Sequence, residues 1–239
     1  MTPIFFNWSS GKDSAMALYK LLSGSDYRVD TLLTTINSDL GRVSMHGLRE
    51  ALLDQQVASI GLPIRKVGLP ESVSMTEYTE IMEESSKNQV RQGIMHAGFG
   101  DIFLEDLRAY RESALQKIAV KAVFPLWKRD TRELMEEFFT LGFKAVTVSV
   151  NAELLGKDFV GREVDRAFID ALPPGVDPCG ENGEFHTFVY DGPIFKYPIP
   201  FKVGEKVLKG YAPNEEDDDC FSDDVSWDTK FWYCDLLTT

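Results

Sequence analysis

At the start of the chain a short apolar strand runs into a turn of small residues and then into an amphipathic helix. This order restricts the fold more than any other feature. Ile4-Phe5-Phe6 is the strand and Ser9-Ser10-Gly11 the turn. Ala15, Leu18, Leu21 and Leu22 then fall on one helical face before Gly24 stops the helix. The alternation continues. Residues 31–36 are rich in β-branched side chains, Leu48, Leu52, Leu53 and Ile60 mark a helix ending at Gly61, and residues 64–67 read as a third strand. Ser74-Met75-Thr76-Glu77 is a capping box that opens a polar helix. Gly100-Asp101-Ile102-Phe103 ends a fourth strand, a helix through Leu107 and Leu115 follows, and residues 120–124 form a fifth strand. Strands alternating with helices at this spacing predict an α/β fold, a doubly wound parallel sheet with helices on both faces.

Beyond Trp127 the character changes. Residues 131–141 read as a helix closed by Gly142, residues 144–150 as a strong strand, and residues 161–172 as a helix ended by Pro173-Pro174. A strand at 185–190 and two β-rich stretches near 200–208 and 230–237 follow, and the last two can pair with each other. The expected organisation is a first domain over residues 1–128 and a smaller α+β domain over 129–239. The formal net charge of −13 follows the same division. Residues 1–128 hold 14 Lys and Arg against 15 Asp and Glu, whereas residues 129–239 hold 11 against 23. Residues 210–229 alone carry eight acidic side chains and no basic one, and they read as a solvated acidic loop. That balance argues against a broad electrostatic grip on nucleic acid or on an anionic membrane.

The N-terminus lacks the basic and apolar regions of a signal peptide. No run of about 18 apolar residues suggests a membrane span. Cys179, Cys220 and Cys234 form no C-x-x-C pair, so neither a disulfide framework nor a thiolate zinc site is indicated. A cytoplasmic location is expected, and homodimerisation is left open.

Ser9-Ser10-Gly11-Lys12-Asp13-Ser14 is the sharpest local signal. A small-residue turn between strand and helix aims backbone N–H groups at one point, where the helix N-terminus adds partial positive charge. Lys12 adds a cation, and Ser9, Ser10 and Ser14 add hydroxyl donors. Asp13 suits a cap, a Mg²⁺ contact or orientation of the loop. The run is neither G-x-x-x-x-G-K-[ST] nor G-x-G-x-x-G. A second cluster, Gly100-Asp101, lies at the carboxyl end of a strand, where ligands gather in open α/β sheets. Gly100 allows close approach of a nucleotide, and Asp101 can accept from it or hold Mg²⁺. Trp127 reads as an interdomain core residue or as one wall of a ligand pocket. The third cluster runs from Asp177 to Phe188 and contains Glu181, Asn182, Glu184 and His186. Two carboxylates and an imidazole at this spacing can bind an amine or exchange a proton. Glu184 and His186 are expected on one face of a strand. Cys179 beside them reads as a structural thiol. His46, after the second strand, is open between the nucleotide side of the site and plain surface.

The loop resembles the S-G-G-x-D-S pyrophosphate loop of ATP pyrophosphatases, with Ser10 in place of the first glycine. Together with Phe99-Gly100-Asp101-Ile102, residues 125–130, Val160-Gly161-Arg162, Gly180 to Thr187 and Asp191-Gly192-Pro193, it makes the chain similar to the diphthine–ammonia ligase (diphthamide synthetase) family. Near the third cluster the family pattern is closer to G-E-G-G-E-Y-E-T, so Asn182 and His186 are departures. The resemblance implies an adenine nucleotide alpha hydrolase-like domain followed by a substrate domain, with ATP and Mg²⁺ as cofactors. It implies adenylation of a carboxylate acceptor and amide formation with ammonia or an amine, releasing AMP and pyrophosphate. On this reading residues 9–14, His46, Gly100 and Asp101 bind the nucleotide. Asp13 and Asp101 hold the metal, Lys12, Glu181, Glu184 and His186 act in catalysis, and Asn182 and Trp127 meet the substrate. The competing readings are another ATP pyrophosphatase, such as an RNA-modifying adenylation enzyme, and an ATP-binding sensor without turnover.

Overall fold

Each crossover helix of the first half carries an apolar stripe, and the sheet it crosses gives that stripe a surface to bury. The structure is a computed structural model that describes residues 1–44, 46–70, 72–210 and 230–239. Its elements are β1 (Thr2–Asn7), α1 (Lys12–Ser23), β2 (Tyr27–Asn37), β3 (Arg42–Val43), α2 (Glu50–Ile60), β4 (Ile64–Leu69), α3 (Met75–Arg91), β5 (His96–Gly98), α4 (Glu105–Gln116) and β6 (Lys121–Val123) in the first half. The second half holds α5 (Thr131–Thr140), β7 (Lys144–Asn151), α6 (Arg166–Asp170), β8 (Phe185–Asp191), β9 (Phe201–Gly210) and β10 (Lys230–Thr238).

Strands β4, β2, β1, β5 and β6 lie side by side and parallel, and the short β3 adds an antiparallel pairing to the end of β2. The chain winds outward from β1 in both directions. The switch point between β1 and β5 is where such sheets leave a crevice for ligands. Phe5, Leu33, Val67, Ala97 and Phe99 pack on one face with Leu115 of α4 and Ile81 and Met82 of α3. Ile4, Phe6 and Trp8 pack on the other with α1, α2 and the second sheet. That second sheet has the order β8-β7-β10-β9 and is antiparallel throughout. One hydrophobic core runs between the two sheets through Phe138, Phe168, Phe185 and Phe188. Each such fully buried aromatic ring contributes about 2–3 kcal/mol of transfer free energy.

The capping box at Ser74 is present, with Glu77 N donating to Ser74 Oγ and Ser74 N donating to the Glu77 carboxylate. Strands β9 and β10 pair as expected, antiparallel, with a register shift between Cys234 and Leu236. Three expectations change. Leu22 is 43% exposed, because Ala15, Leu18 and Leu21 already fill the buried face of α1. The fourth strand ends at Gly98, so residues 100–103 lie beyond it. The helix expected over 161–172 shrinks to α6. Gly161 is left-handed, and residues 161–164 run along β7, where Gly161 N donates to Thr147 O and Thr147 N to Arg162 O. Sheet hydrogen bonds replace the first helical turns. Of the acidic stretch 210–229, Gly210 closes β9 and the rest lies outside the described residues, as does Cys220. Among the described residues no helix is long and apolar enough to cross a membrane.

Candidate functional site

The turn after β1 is held from three sides. Ser9 Oγ donates to Ser14 Oγ at 3.0 Å, and Ser14 Oγ donates to Gly11 O at 2.9 Å. Gln56 of α2 is fully buried beneath the turn. It accepts from Trp8 Nε1 at 3.2 Å and donates to Ser10 O at 3.2 Å and Val189 O at 2.6 Å. Strand β8 lies on the loop itself. Val189 N donates to Ser10 O at 3.0 Å, and Thr187 Oγ1 accepts from Lys12 N at 3.0 Å. Alternation along β8 explains the contact: Phe185, Thr187 and Val189 share a face, with Lys12 Nζ 5.2 Å from the Phe185 ring centre. The first helical N–H beyond the Gly11 cap is therefore taken by a hydroxyl of the second sheet. Ser10 has φ 71 and a buried hydroxyl without a hydrogen-bond partner.

Lys12 is 2% exposed. Its ammonium donates to Asp13 at 2.8 Å and to the carbonyl of Cys179. Burial opposes this charge, but the Asp13 carboxylate beside it leaves Lys12 above the ordinary lysine range. Gly100 rests on the start of α1: a Cβ there would lie 2.8 Å from Ser14 N and 2.9 Å from Asp13 C. Asp101 is buried and pairs with Arg111, whose Nε lies 3.1 Å from Oδ2 and 3.2 Å from Oδ1.

The turn before β8 organises the third cluster. Asp177 Oδ2 accepts from Cys179 N and Glu181 N, both at 3.0 Å. Glu184 accepts from Asp177 N, Asn182 N and Asn182 Nδ2 at 2.9–3.0 Å. Glu184 is 3% exposed, and its carboxylate is committed to the turn. Its expected place beside His186 as a reacting group gives way to a structural one, because the unpaired N–H groups of the turn need an acceptor. Asn182 is exposed and spends its amide on Glu184. Glu181 instead reaches across to the first sheet, where its Oε1 accepts from Ile102 N at 2.7 Å. Burial, and then Asp13, push its carboxyl up to about 7, against the bond from Ile102 N. The Cys179 thiol is buried, donates to Thr131 O at 3.4 Å and is pushed upward by burial, which makes it inert.

His46 and His186 come together although 139 residues lie between them in the chain. Their ring centres are 4.8 Å apart, and a Cβ on Gly11 would meet His46 Nε2 at 3.0 Å. Burial, then His186, depress His46 to about 3, and burial, then Lys12, depress His186 to about 4. Both imidazoles are neutral near pH 7. The Trp127 ring centre lies 4.5 Å from the Arg108 guanidinium and 5.7 Å from the Phe124 ring, next to Lys128, whose N donates to Ile102 O at 2.7 Å. The fold therefore brings Ser9 to Ser14, His46, Gly100, Glu181 and His186 into one neighbourhood, and spends the Glu184 carboxylate and the Asn182 amide within the turn. Thr187 and Gln56 escaped the sequence reading. Thr187 was within reach of it, because period-two alternation puts residue 187 on the face opposite His186.

Residues 4–122 match the model for the diphthamide synthase N-terminal domain, and residues 130–213 match the model for its C-terminal domain. The chain belongs to the diphthamide synthase family. Three relatives carry the name diphthine–ammonia ligase. The Mus musculus protein is 28% identical over 139 residues, 55% of this chain and 51% of that protein. The Danio rerio protein is 30% identical over 117 residues, 46% and 45% respectively. The Homo sapiens protein is 26% identical over 143 residues, 58% and 52% respectively. The chain spans about half the length of these curated relatives. Membership in the diphthamide synthase family agrees with the doubly wound first sheet and the smaller antiparallel second one.

Proposed function

We propose that the chain is an ATP-dependent ligase that adenylates a carboxylate and forms an amide, releasing AMP and pyrophosphate. The observation that carries this reading is the seating of the Glu181–His186 cluster on the loop of residues 9–14 at the switch point between β1 and β5. A carboxylate is inert toward ammonia at neutral pH because oxide would have to leave. Attack of the carboxylate oxygen on the α-phosphorus of ATP breaks the bond to the β-phosphate and expels pyrophosphate. Ammonia then attacks the acyl carbon, AMP leaves, and the surplus proton passes from nitrogen to a base. Lys12 and the loop N–H groups favour the departing pyrophosphate, an electrostatic effect typically worth about 3 kcal/mol per donor. Glu181 takes up the proton, since its carboxyl titrates at about 7. Neutral His186 accepts a hydrogen bond from the amine.

Mg²⁺ would arrive as a companion of the nucleotide. Asp101 Oδ2 faces Arg111 Nε at 3.1 Å and Asp13, within the loop, faces the Lys12 ammonium at 2.8 Å, so the ion would share these carboxylates with two cations. Among the described residues no group of three or more His, Cys, Asp or Glu is placed to hold an ion alone. A site that shares its ligands with phosphates is the usual arrangement for this cation. When bound it would neutralise phosphate charge. Diphthine is the acceptor named for the relatives, and ammonia their nitrogen donor. His186 departs from the family pattern at the amine side, so the proposal extends to carboxylate acceptors of that class.

Purified protein, Mg²⁺, labelled ATP, candidate carboxylates and ammonium are the test. AMP and pyrophosphate are expected, and ADP would overturn the mechanism. Lys12→Ala with Ser14→Ala is expected to weaken ATP binding, and unchanged binding would remove the loop from the site. A second reading has one observation behind it. The Lys12 N–H and ammonium are already bonded within the protein, as suits a sensor that binds ATP without turning it over. Tight binding with no AMP from any acceptor would favour it.

A further inference from the structure

The segment that carries His46 is tied to the far end of the chain. Asp235 of β10 accepts from Arg42 Nη1 at 3.0 Å, from Arg49 Nε at 3.0 Å and from Arg49 Nη2 at 2.6 Å. Arg42 and Arg49 face each other across an isolated antiparallel bridge, and Val43 N donates to Leu48 O at 2.8 Å inside it. One carboxylate thus closes the base of the loop from both sides. The same Arg42 Nη1 also donates to Gly47 O at 2.6 Å, the carbonyl of the residue after His46. Gly47 is left-handed at φ 62, and a Cβ on it would lie 3.6 Å from the Tyr233 ring, two residues before Asp235.

The His46 ring meets the Ser44 backbone, the His186 ring and Gly11. Its Nδ1 makes no hydrogen bond, so the Gly47 peptide that follows it, held by Arg42, bears on where the imidazole sits. A lone exposed ion pair would contribute little, but this carboxylate is 24% exposed and holds two guanidinium groups, one of them through both oxygens. The Arg49 guanidinium, and then Arg42, keep Asp235 below the usual carboxylate range against the opposing effect of burial.

We propose that Asp235 is a positioning residue that, through Arg42 and the Gly47 carbonyl, sets His46 against Gly11 and His186 at the mouth of the phosphate loop. It lies beyond the residues that either family model matches. The proposal rests on the reading that the loop holds ATP. It differs from a clamp that merely joins the two sheets, because its effect must travel through His46.

The test is a double-mutant cycle on the full chain with Mg²⁺ and ATP, read by calorimetric titration. Asp235→Asn and His46→Gln are each expected to weaken binding about tenfold, and the double variant to bind no more weakly than His46→Gln alone. Additive losses approaching hundredfold, or an Asp235→Asn protein that binds like the wild type, would overturn the proposal. A ligand-free readout separates it from the nucleotide reading. In ¹⁵N–¹H spectra of the histidine side chains, Asp235→Asn is expected to shift the His46 and His186 signals together and to leave His96 in place. Unmoved His46 signals overturn the proposal even where ATP binds. If the wild type binds no ATP, the nucleotide reading falls and these spectra alone decide the positioning claim. Arg42→Gln, which leaves the Arg49–Asp235 pair intact, is the second variant. It should reproduce the same spectral change should Asp235→Asn fail to fold.

Discussion

Replacing Ser10 by glycine should make the protein more stable, although it deletes a buried side chain from the turn between β1 and α1. Ser10 sits at φ 71 and is wholly buried, and its hydroxyl has no hydrogen-bond partner. A left-handed conformation costs a residue with a Cβ roughly 1–2 kcal/mol. A buried, unpaired hydroxyl costs about 1–3 kcal/mol. Against these stand the extra backbone entropy of glycine in the unfolded chain, about 0.5–1 kcal/mol, and the void left by two heavy atoms, about 1 kcal/mol. The net expectation is a gain of about 1 kcal/mol, or a rise in Tm of about 2–4 °C for a chain of this size. Ser10→Ala supplies the diagnostic comparison. It removes the hydroxyl but keeps the left-handed strain, so it should be about 1 kcal/mol less stable than Ser10→Gly. At an ordinary position the order is reversed. Urea unfolding of all three proteins at a common slope measures the differences. An alanine variant as stable as the glycine variant would refute the claim that backbone strain is stored at residue 10. The glycine at this place in S-G-G-x-D-S then has its physical reason, and Ser10 is the costly alternative.

Two further outcomes are expected. Gly100→Ala would bring a Cβ to within 3.0 Å of three backbone atoms at the start of α1, which cannot give way as a side-chain tip can. It should cost about 1–3 kcal/mol in urea unfolding and weaken ATP binding, whereas Gly156→Ala, with nothing within 4 Å, serves as the neutral control. Glu181→Gln should remove a pH dependence of stability. The folded carboxyl titrates at about 7 against an ordinary 4.5, so the native state keeps a proton that the unfolded chain has released. That contribution is full below pH 4.5 and is lost as pH rises to 7. The stability of wild type minus that of Glu181→Gln should therefore fall across this window, and a flat or rising difference in urea midpoints would refute it.

What could be read from residue order alone was local or periodic. The β1–turn–α1 start, the glycine stops at Gly24 and Gly61 and the capping box at Ser74 depend on neighbours within a few positions. The parallel sheet follows from the alternation of such pieces, because each amphipathic face needs a partner. Periodicity misled where long-range pairing competed with it. Residues 161–164 exchange hydrogen bonds with Thr147 and Ala145 instead of closing helical turns. The candidate site was legible as three clusters, but their mutual arrangement was not. Lys12 N meets Thr187 Oγ1 across 175 positions, Glu181 caps the segment after β5, and the His186 ring meets that of His46 at a tilt. These contacts depend on how one sheet seats on the other, and spacing along the chain carries no record of that. The same limit separates Glu184 from Glu181. Both are carboxylates of one turn, and folding binds the first to the N–H groups of that turn while it carries the second across to Ile102 beyond β5.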